Sequence, residues 1–123
     1  MVGSKMVVAT IPVSDLDRAR TFYLDKLGLT LLWENPASIR FGCGGGSELS
    51  VFRRPATSTE HTLAHFEVTD IEATIADLES RGVTFVDYAD GPLKTTGHIA
   101  PIGPARGAWL RDPDGNFLGV RQG

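Results

Sequence analysis

A duplicated unit constrains the fold of this chain more than any other feature. Val13-Ser14-Asp15-Leu16-Asp17 is answered 55 residues on by Val68-Thr69-Asp70-Ile71-Glu72. Leu27-Gly28-Leu29-Thr30-Leu31-Leu32 is answered by Arg81-Gly82-Val83-Thr84-Phe85-Val86, with Gly82 lying 54 residues after Gly28. The second copy is therefore one residue shorter inside its helix. A third match, Leu49-Ser50-Val51 with Leu118-Gly119-Val120, falls 69 residues on. Self-similarity at this scale marks a fold assembled from two copies of one supersecondary unit.

Each copy reads as a strand, a capped helix and three further strands. Ser14 and Asp17 have the spacing of a capping box, which satisfies backbone N–H groups left free at a helix start. Leu16, Ala19, Tyr23 and Leu27 recur at helical spacing, as do Ile71, Ile75 and Leu78 in the second copy. Gly28 supplies the left-handed residue that ends the first helix. In the first half, Met6–Ile11, Leu29–Trp33, Ser38–Cys43 and Glu48–Arg53 read as strands, with turns at Asn35-Pro36 and at Gly44-Gly45-Gly46-Ser47. The second half has strands at Thr62–Val68, Val83–Tyr88, Ala108–Arg111 and Phe117–Arg121. Its last hairpin turns at Asp112-Pro113-Asp114-Gly115-Asn116. Asp90–Gly107 reads as a long proline- and glycine-rich loop, of the kind that serves as a lid or binding loop and is mobile. The expected organisation is a single α+β domain over residues 6–122. It comprises a βαβββ module at 6–54, a polar linker at 55–60 and a second βαβββ module at 61–122. Met1–Lys5 reads as a poorly ordered leader.

Charge and composition narrow the function. Fifteen acidic residues against twelve basic ones give a net charge of −3, which argues against nucleic acid or an anionic membrane as partner. No apolar run approaches the roughly 20 residues of a membrane span. The single cysteine, Cys43, excludes an intramolecular disulfide and fits a reducing cytoplasm. Nothing beside Cys43 in the sequence lowers its pKa, so it is not expected to be a nucleophile. The neighbouring glycine run joins strand to strand without a following helix N-terminus, so it is not a phosphate loop.

The two modules, the Val-Ser-Asp-Leu-Asp helix entry followed by Phe22-Tyr23, and the Asp-Pro-Asp-Gly-Asn turn before the last strand resemble the vicinal oxygen chelate superfamily. That group includes glyoxalase I, extradiol dioxygenases and bleomycin resistance proteins. The resemblance covers Met6–Gln122. It implies eight strands curled into cups around a cavity, helices outside, and a homodimer. It also implies four metal-ligand positions in metal-using members, which fall here on Val8, Ser50, Leu63 and Gly119. Valine, leucine and glycine side chains offer no donor atom and serine is a poor one, so no metal and no cofactor are expected.

The remaining candidates follow from strand alternation, which puts Leu63, His65 and Glu67 on one face. His65 and Glu67 are the candidate catalytic pair, and with Glu48 they offer a displaced metal site. Trp33, Phe52, Trp109 and Phe117 are the aromatics placed to line or close a cavity. Gly119 reads as room for an approaching group. Arg111 and Arg121 are within reach of an anionic ligand, and His98 reads as an exposed loop residue. The leading expectation is a small-molecule binding protein without the family metal site, sequestering an apolar or aromatic compound as bleomycin resistance proteins do. Val8, Ser50, Leu63, His65, Trp109, Phe117 and Gly119 line its site. The alternative is a glyoxalase- or dioxygenase-like enzyme that uses the displaced site or metal-free acid/base chemistry.

Overall fold

A computed structural model describes all 123 residues except Ala56 and Ser58. These residues form two compact units, 1–57 and 58–123, each built on its own sheet. The division falls in the expected linker at 55–60, of which Ala56 and Ser58 lie outside the described residues.

In the first unit, β1 (Val8–Val13) is followed by α1 (Leu16–Arg20), β2 (Thr30–Asn35), β3 (Ser38–Gly42) and β4 (Glu48–Arg53). The strand order is β1-β4-β3-β2, with β1 parallel to β4 and the other pairs antiparallel. The first strand runs through Pro12 rather than stopping before it. As an edge strand pairing with β4 alone, it tolerates a residue that lacks an N–H. Ile11, Val13, Ile39, Phe41, Leu49 and Val51 alternate into the core, where Ala19, Phe22 and Tyr23 of the helical segment are also buried.

The first helix is capped at Asp15, one residue later than the capping-box reading, and the second at the equivalent Asp70. Asp15 accepts from Arg18 N, and Asp70 accepts from Ala73 N, each at 3.0 Å. Ser14 Oγ instead accepts from the Arg18 guanidinium at 3.2 Å. The caps are equivalent members of the repeat. Asp70→Ala is expected to lose about 1 kcal/mol of stability, read as a shift in denaturation midpoint.

The one-residue difference between the helices has a structural cause. After Arg20 the helix widens into a π-helical segment, Thr21–Lys26, and Leu27 N donates to Phe22 O five residues back. At the helix exits, Leu29 N reaches back to Tyr23 O, whereas Val83 N reaches Leu78 O, one residue nearer. The extra residue is absorbed as a wider turn, and the glycines that follow, Gly28 and Gly82, both take positive φ.

In the second unit, β5 (Thr62–Glu67) and α2 (Ile71–Ser80) precede β6 (Phe85–Val86), β7 (Ala100–Ile102), β8 (Ala105–Arg111) and β9 (Phe117–Gln122). The order is β5-β9-β8-β6, and β7 shares the outer edge of β8 with β6. The expected strand Val83–Tyr88 shrinks to two residues. The expected loop Asp90–Gly107 is partly strand, because β7 pairs with the early start of β8. Pro101 hides this strand from a propensity reading, yet Ala100 and Ile102 pair with Gly107 and Ala105. Ile102 occupies the space that a β-carbon on Gly107 would need. Within the expected leader, Val2–Ser4 forms a short, exposed 3₁₀ turn. Among the described residues, no helix is long and apolar enough to cross a membrane.

Candidate functional site

The richest group of chemical side chains lies on one face of the second sheet. Register places His65 opposite Gly119, and Gly119 opposite Trp109. One step along, Phe117 lies between Thr62 and Arg111; one step the other way, Glu67 lies opposite Arg121. Alternation sends Leu110, Leu118 and Val120 to the other face, where they are buried and where α2 packs on β9.

Glu67 is the hub of this face. Its carboxylate lies 2.9 Å from His65 Nε2 and accepts from Arg121 Nη1 at 3.0 and 3.1 Å. The His65 hydrogen bond, followed by the Arg121 contacts, holds the Glu67 carboxyl below the usual carboxylate range. The His65 and Glu67 side chains are 50% and 59% exposed, so this chain of contacts forms a solvated rim. Beside it, Trp109 and Phe117 are only 9% and 5% exposed and pack with Ala100, Val86 and Tyr88. The Tyr88 ring meets Trp109 edge-on at 5.6 Å, and the Arg111 guanidinium lies 4.4 Å from the Phe117 ring centre. Trp109 and Phe117, expected to line or close a cavity, thus form a covered floor. Tyr88, which sequence reasoning did not single out, is part of the cover.

Two expected members of the site change role. Leu63 is the extra residue of a bulge: the ladder steps from Thr62–Phe117 to Ala64–Leu118 and leaves it no partner. Strand alternation across it is broken, so Leu63 and His65 are not the regular i, i+2 pair expected. Gly119 leaves no free slot either. A β-carbon there would sit 3.2 Å from His65 Cβ and 3.6 Å from both Thr62 Cγ2 and Ala108 O. The approaching group is His65 itself.

In the first sheet, Val8 is half-buried and pairs with Glu48, while Ser50 is buried between Thr10 and Arg40. Arg40 Nη1 bonds Glu48 Oε1 at 3.0 Å and lies 5.1 Å over the Trp33 ring. Glu48 is therefore committed within its own sheet, and Phe52 is covered by the Arg54 guanidinium at 5.2 Å. Among the described residues, no three His, Cys, Asp or Glu side chains come together as metal donors. Burial, then Glu48, pushes the Cys43 thiol up, which disfavours the thiolate. Each unit also has an open surface groove that the sequence reading missed. One is lined by Ser14, Asp15, Arg20, Glu34 and Arg53, the other by Glu72, Lys94, Thr96, Ile99 and Arg106. In each, an arginine is already paired with a glutamate, Arg20 with Glu34 and Arg106 with Glu72.

Comparison with solved structures finds this architecture repeatedly. TnmS3, an antibiotic binding protein from Streptomyces sp. CB03234, is 28% identical, with 99% of this chain and 98% of that chain covered and a TM-score of 0.72. A glyoxalase/bleomycin resistance protein from the same Streptomyces strain is also 28% identical, covering 96% of this chain and 100% of that one at a TM-score of 0.68. A glyoxalase/bleomycin resistance protein/dioxygenase from Alicyclobacillus acidocaldarius shares the fold at a TM-score of 0.73 and 20% identity, over 97% of this chain and 91% of that one. Comparison with curated proteins gave no match. The family model of the Glyoxalase/Bleomycin resistance protein/Dioxygenase superfamily matches residues 5–120, and the chain belongs to that superfamily.

Proposed function

We propose that this protein binds a small apolar or aromatic compound on the His65–Trp109 face and releases it unchanged, without a bound metal. The observation that carries the reading is the state of Glu67. Its carboxylate is already shared between an imidazole and a guanidinium. A carboxylate held acidic in this way is a weak general base, and the adjacent guanidinium repels a divalent cation. Glu48 is likewise already paired with a guanidinium, that of Arg40. The donors present therefore do not fit the metal used by other members of the superfamily. What remains is a polar rim beside an aromatic floor, the composition usual for small-molecule sites. The likeness to an antibiotic binding protein supports this direction. Full contact with the floor requires Tyr88 to move aside, because Trp109 and Phe117 are covered.

The test is a titration with 2-naphthol, followed by Trp109 fluorescence in a Trp33→Phe background. Saturable quenching is expected, with naphthol recovered chemically intact. Arg121→Met is expected to weaken binding about tenfold by releasing the rim. Absence of saturable binding would reject the reading. The 2.9 Å contact between His65 and Glu67 favours a second one, metal-free acid/base catalysis. Conversion of a bound probe with a bell-shaped pH–rate profile, lost in Glu67→Gln, would establish that alternative.

The proposal includes a homodimer. The edge strand β2 leaves Leu32 and Trp33 46% and 45% exposed, and apolar edges of this kind call for a cover. Light scattering is expected to return twice the 13.2 kDa chain mass; a monomer mass across micromolar concentrations would refute the dimer.

A further inference from the structure

His98 is the one non-glycine residue with positive φ among those described, at 70°. A left-handed histidine is strained and persists only where its surroundings hold it. Here they do. Nδ1 lies 2.9 Å from Asp87 Oδ1, Nε2 lies 3.3 Å from Glu79 Oε2 of α2, and the ring stacks on Phe85 of β6 at 5.6 Å and 25°. The expected exposed loop histidine is instead half-buried. Asp87 also accepts from Thr95 Oγ1 at 3.1 Å. Thr95 in turn bonds Tyr88 in both directions, receiving from Tyr88 N at 3.0 Å and donating its own N–H to Tyr88 O at 2.9 Å. The network thus fastens both ends of the 87–99 loop and, through Tyr88, the cover on Trp109.

We propose that protonated His98 is a latch that holds the 87–99 loop closed over Trp109, and that loss of its proton loosens the loop and opens the aromatic floor. The chemistry of the ring carries this. A neutral imidazole has one N–H, whereas both His98 nitrogens face carboxylates, and only the imidazolium donates to both. Asp87 and Glu79 are the charged groups acting on it, with no cation among them, and Phe85 contributes an uncharged ring. The hydrogen bond to Asp87 is the main cause that raises the His98 pKa above its ordinary 6.5, and the same bond lowers that of Asp87 below 3.8. The raised histidine contributes closure that is complete below 6.5 and lost as pH climbs through its folded value. The lowered aspartate contributes closure that is present above 3.8 and lost as pH falls through its own. The latch is therefore shut in mildly acidic solution and opens on the alkaline side.

The significance for ligand entry rests on the function proposed above; the motion of the loop does not. Acrylamide quenching of Trp109 in the Trp33→Phe background, with amide-exchange protection of residues 87–99, is measured from about pH 5 to about pH 9. Quenching is expected to rise severalfold, and protection to fall, in one transition above pH 6.5. His98→Asn tolerates the left-handed backbone but cannot be charged, and it should give the open values throughout. Paired Asp87→Asn and Glu79→Gln changes should move the transition down in pH, which keeps the test decisive should His98→Asn fold poorly. A flat wild-type profile, or the same transition in His98→Asn, would overturn the latch. A clear transition in a protein that never binds 2-naphthol would leave the latch standing and reject the binding function.

Discussion

Replacing Asp112 with alanine is expected to remove about 3–5 kcal/mol of folding stability, a large share of what a domain of this size possesses. The Asp-Pro-Asp-Gly-Asn turn is built around this carboxylate. One oxygen accepts from Asp114 N and Asn116 N, both at 2.9 Å, and the other accepts from Asn116 Nδ2 at 2.8 Å. Asp112 is 5% exposed and Asn116 1%, so water cannot replace all three acceptor contacts once the carboxylate is gone. Each buried donor left unsatisfied costs about 1–3 kcal/mol. Asp112→Asn keeps an oxygen for the backbone donors but sets an NH₂ group against that of Asn116, and it should fall between wild type and alanine. Urea denaturation reads the effect as a lower midpoint at unchanged slope. A loss of less than about 1 kcal/mol for the alanine variant would mean that the turn is held by its backbone alone. Because the turn sets where β9 begins, the same variant should weaken 2-naphthol binding by displacing Phe117 and Arg121.

That turn was legible in the sequence because its chemistry is local: an Asp-Gly pair, a proline, and an aspartate and an asparagine four residues apart that bond within the turn. The repeat was legible for a similar reason, since both copies carry the same cap, the same apolar spacing and the same closing glycine. Reading stopped where an outcome depended on a partner distant in sequence. Both Ser14 and Asp15 are good caps, and only the path of the chain entering from β1 selects Asp15. The segment Ala100-Pro101-Ile102 becomes a strand because β8 offers it an open edge. His98 and Asp87 lie eleven residues apart in the chain, and Glu79 lies on another element. Their meeting depends on where the chain carries His98 relative to α2 and β6. Of the candidate site, strand alternation correctly put His65 and Glu67 together. It failed at Leu63, where a bulge interrupts the period on which the argument depends. Whether the rings of Trp109 and Phe117 are open or covered depends on where the loop carrying Tyr88 settles.

Gly119 gives a direct test of the site's packing, because an open slot and a slot already filled by His65 predict opposite signs. A glycine in a strand with open space beside it should welcome a methyl group, and Gly119→Ala would then stabilise the protein by about 0.5–1 kcal/mol through the unfolded chain. In the structure the new β-carbon meets His65 Cβ at 3.2 Å. Non-bonded carbons pack best at about 3.5–4.0 Å. The substitution must push β5 away from β9 and is expected to destabilise by about 1–3 kcal/mol, as overpacking does. The clash is with the β-carbon of His65, so His65→Ala should not relieve it, whereas His65→Gly should. In the His65→Gly background, Gly119→Ala is expected to become neutral or stabilising, and the double-mutant cycle isolates the contact. Stabilisation by Gly119→Ala alone would mean that the slot is open and that a ligand, not His65, fills it. Destabilisation relieved only by His65→Gly would identify Gly119 as the residue that lets the imidazole lie close enough to β9 for Glu67 and Arg121 to complete the polar rim.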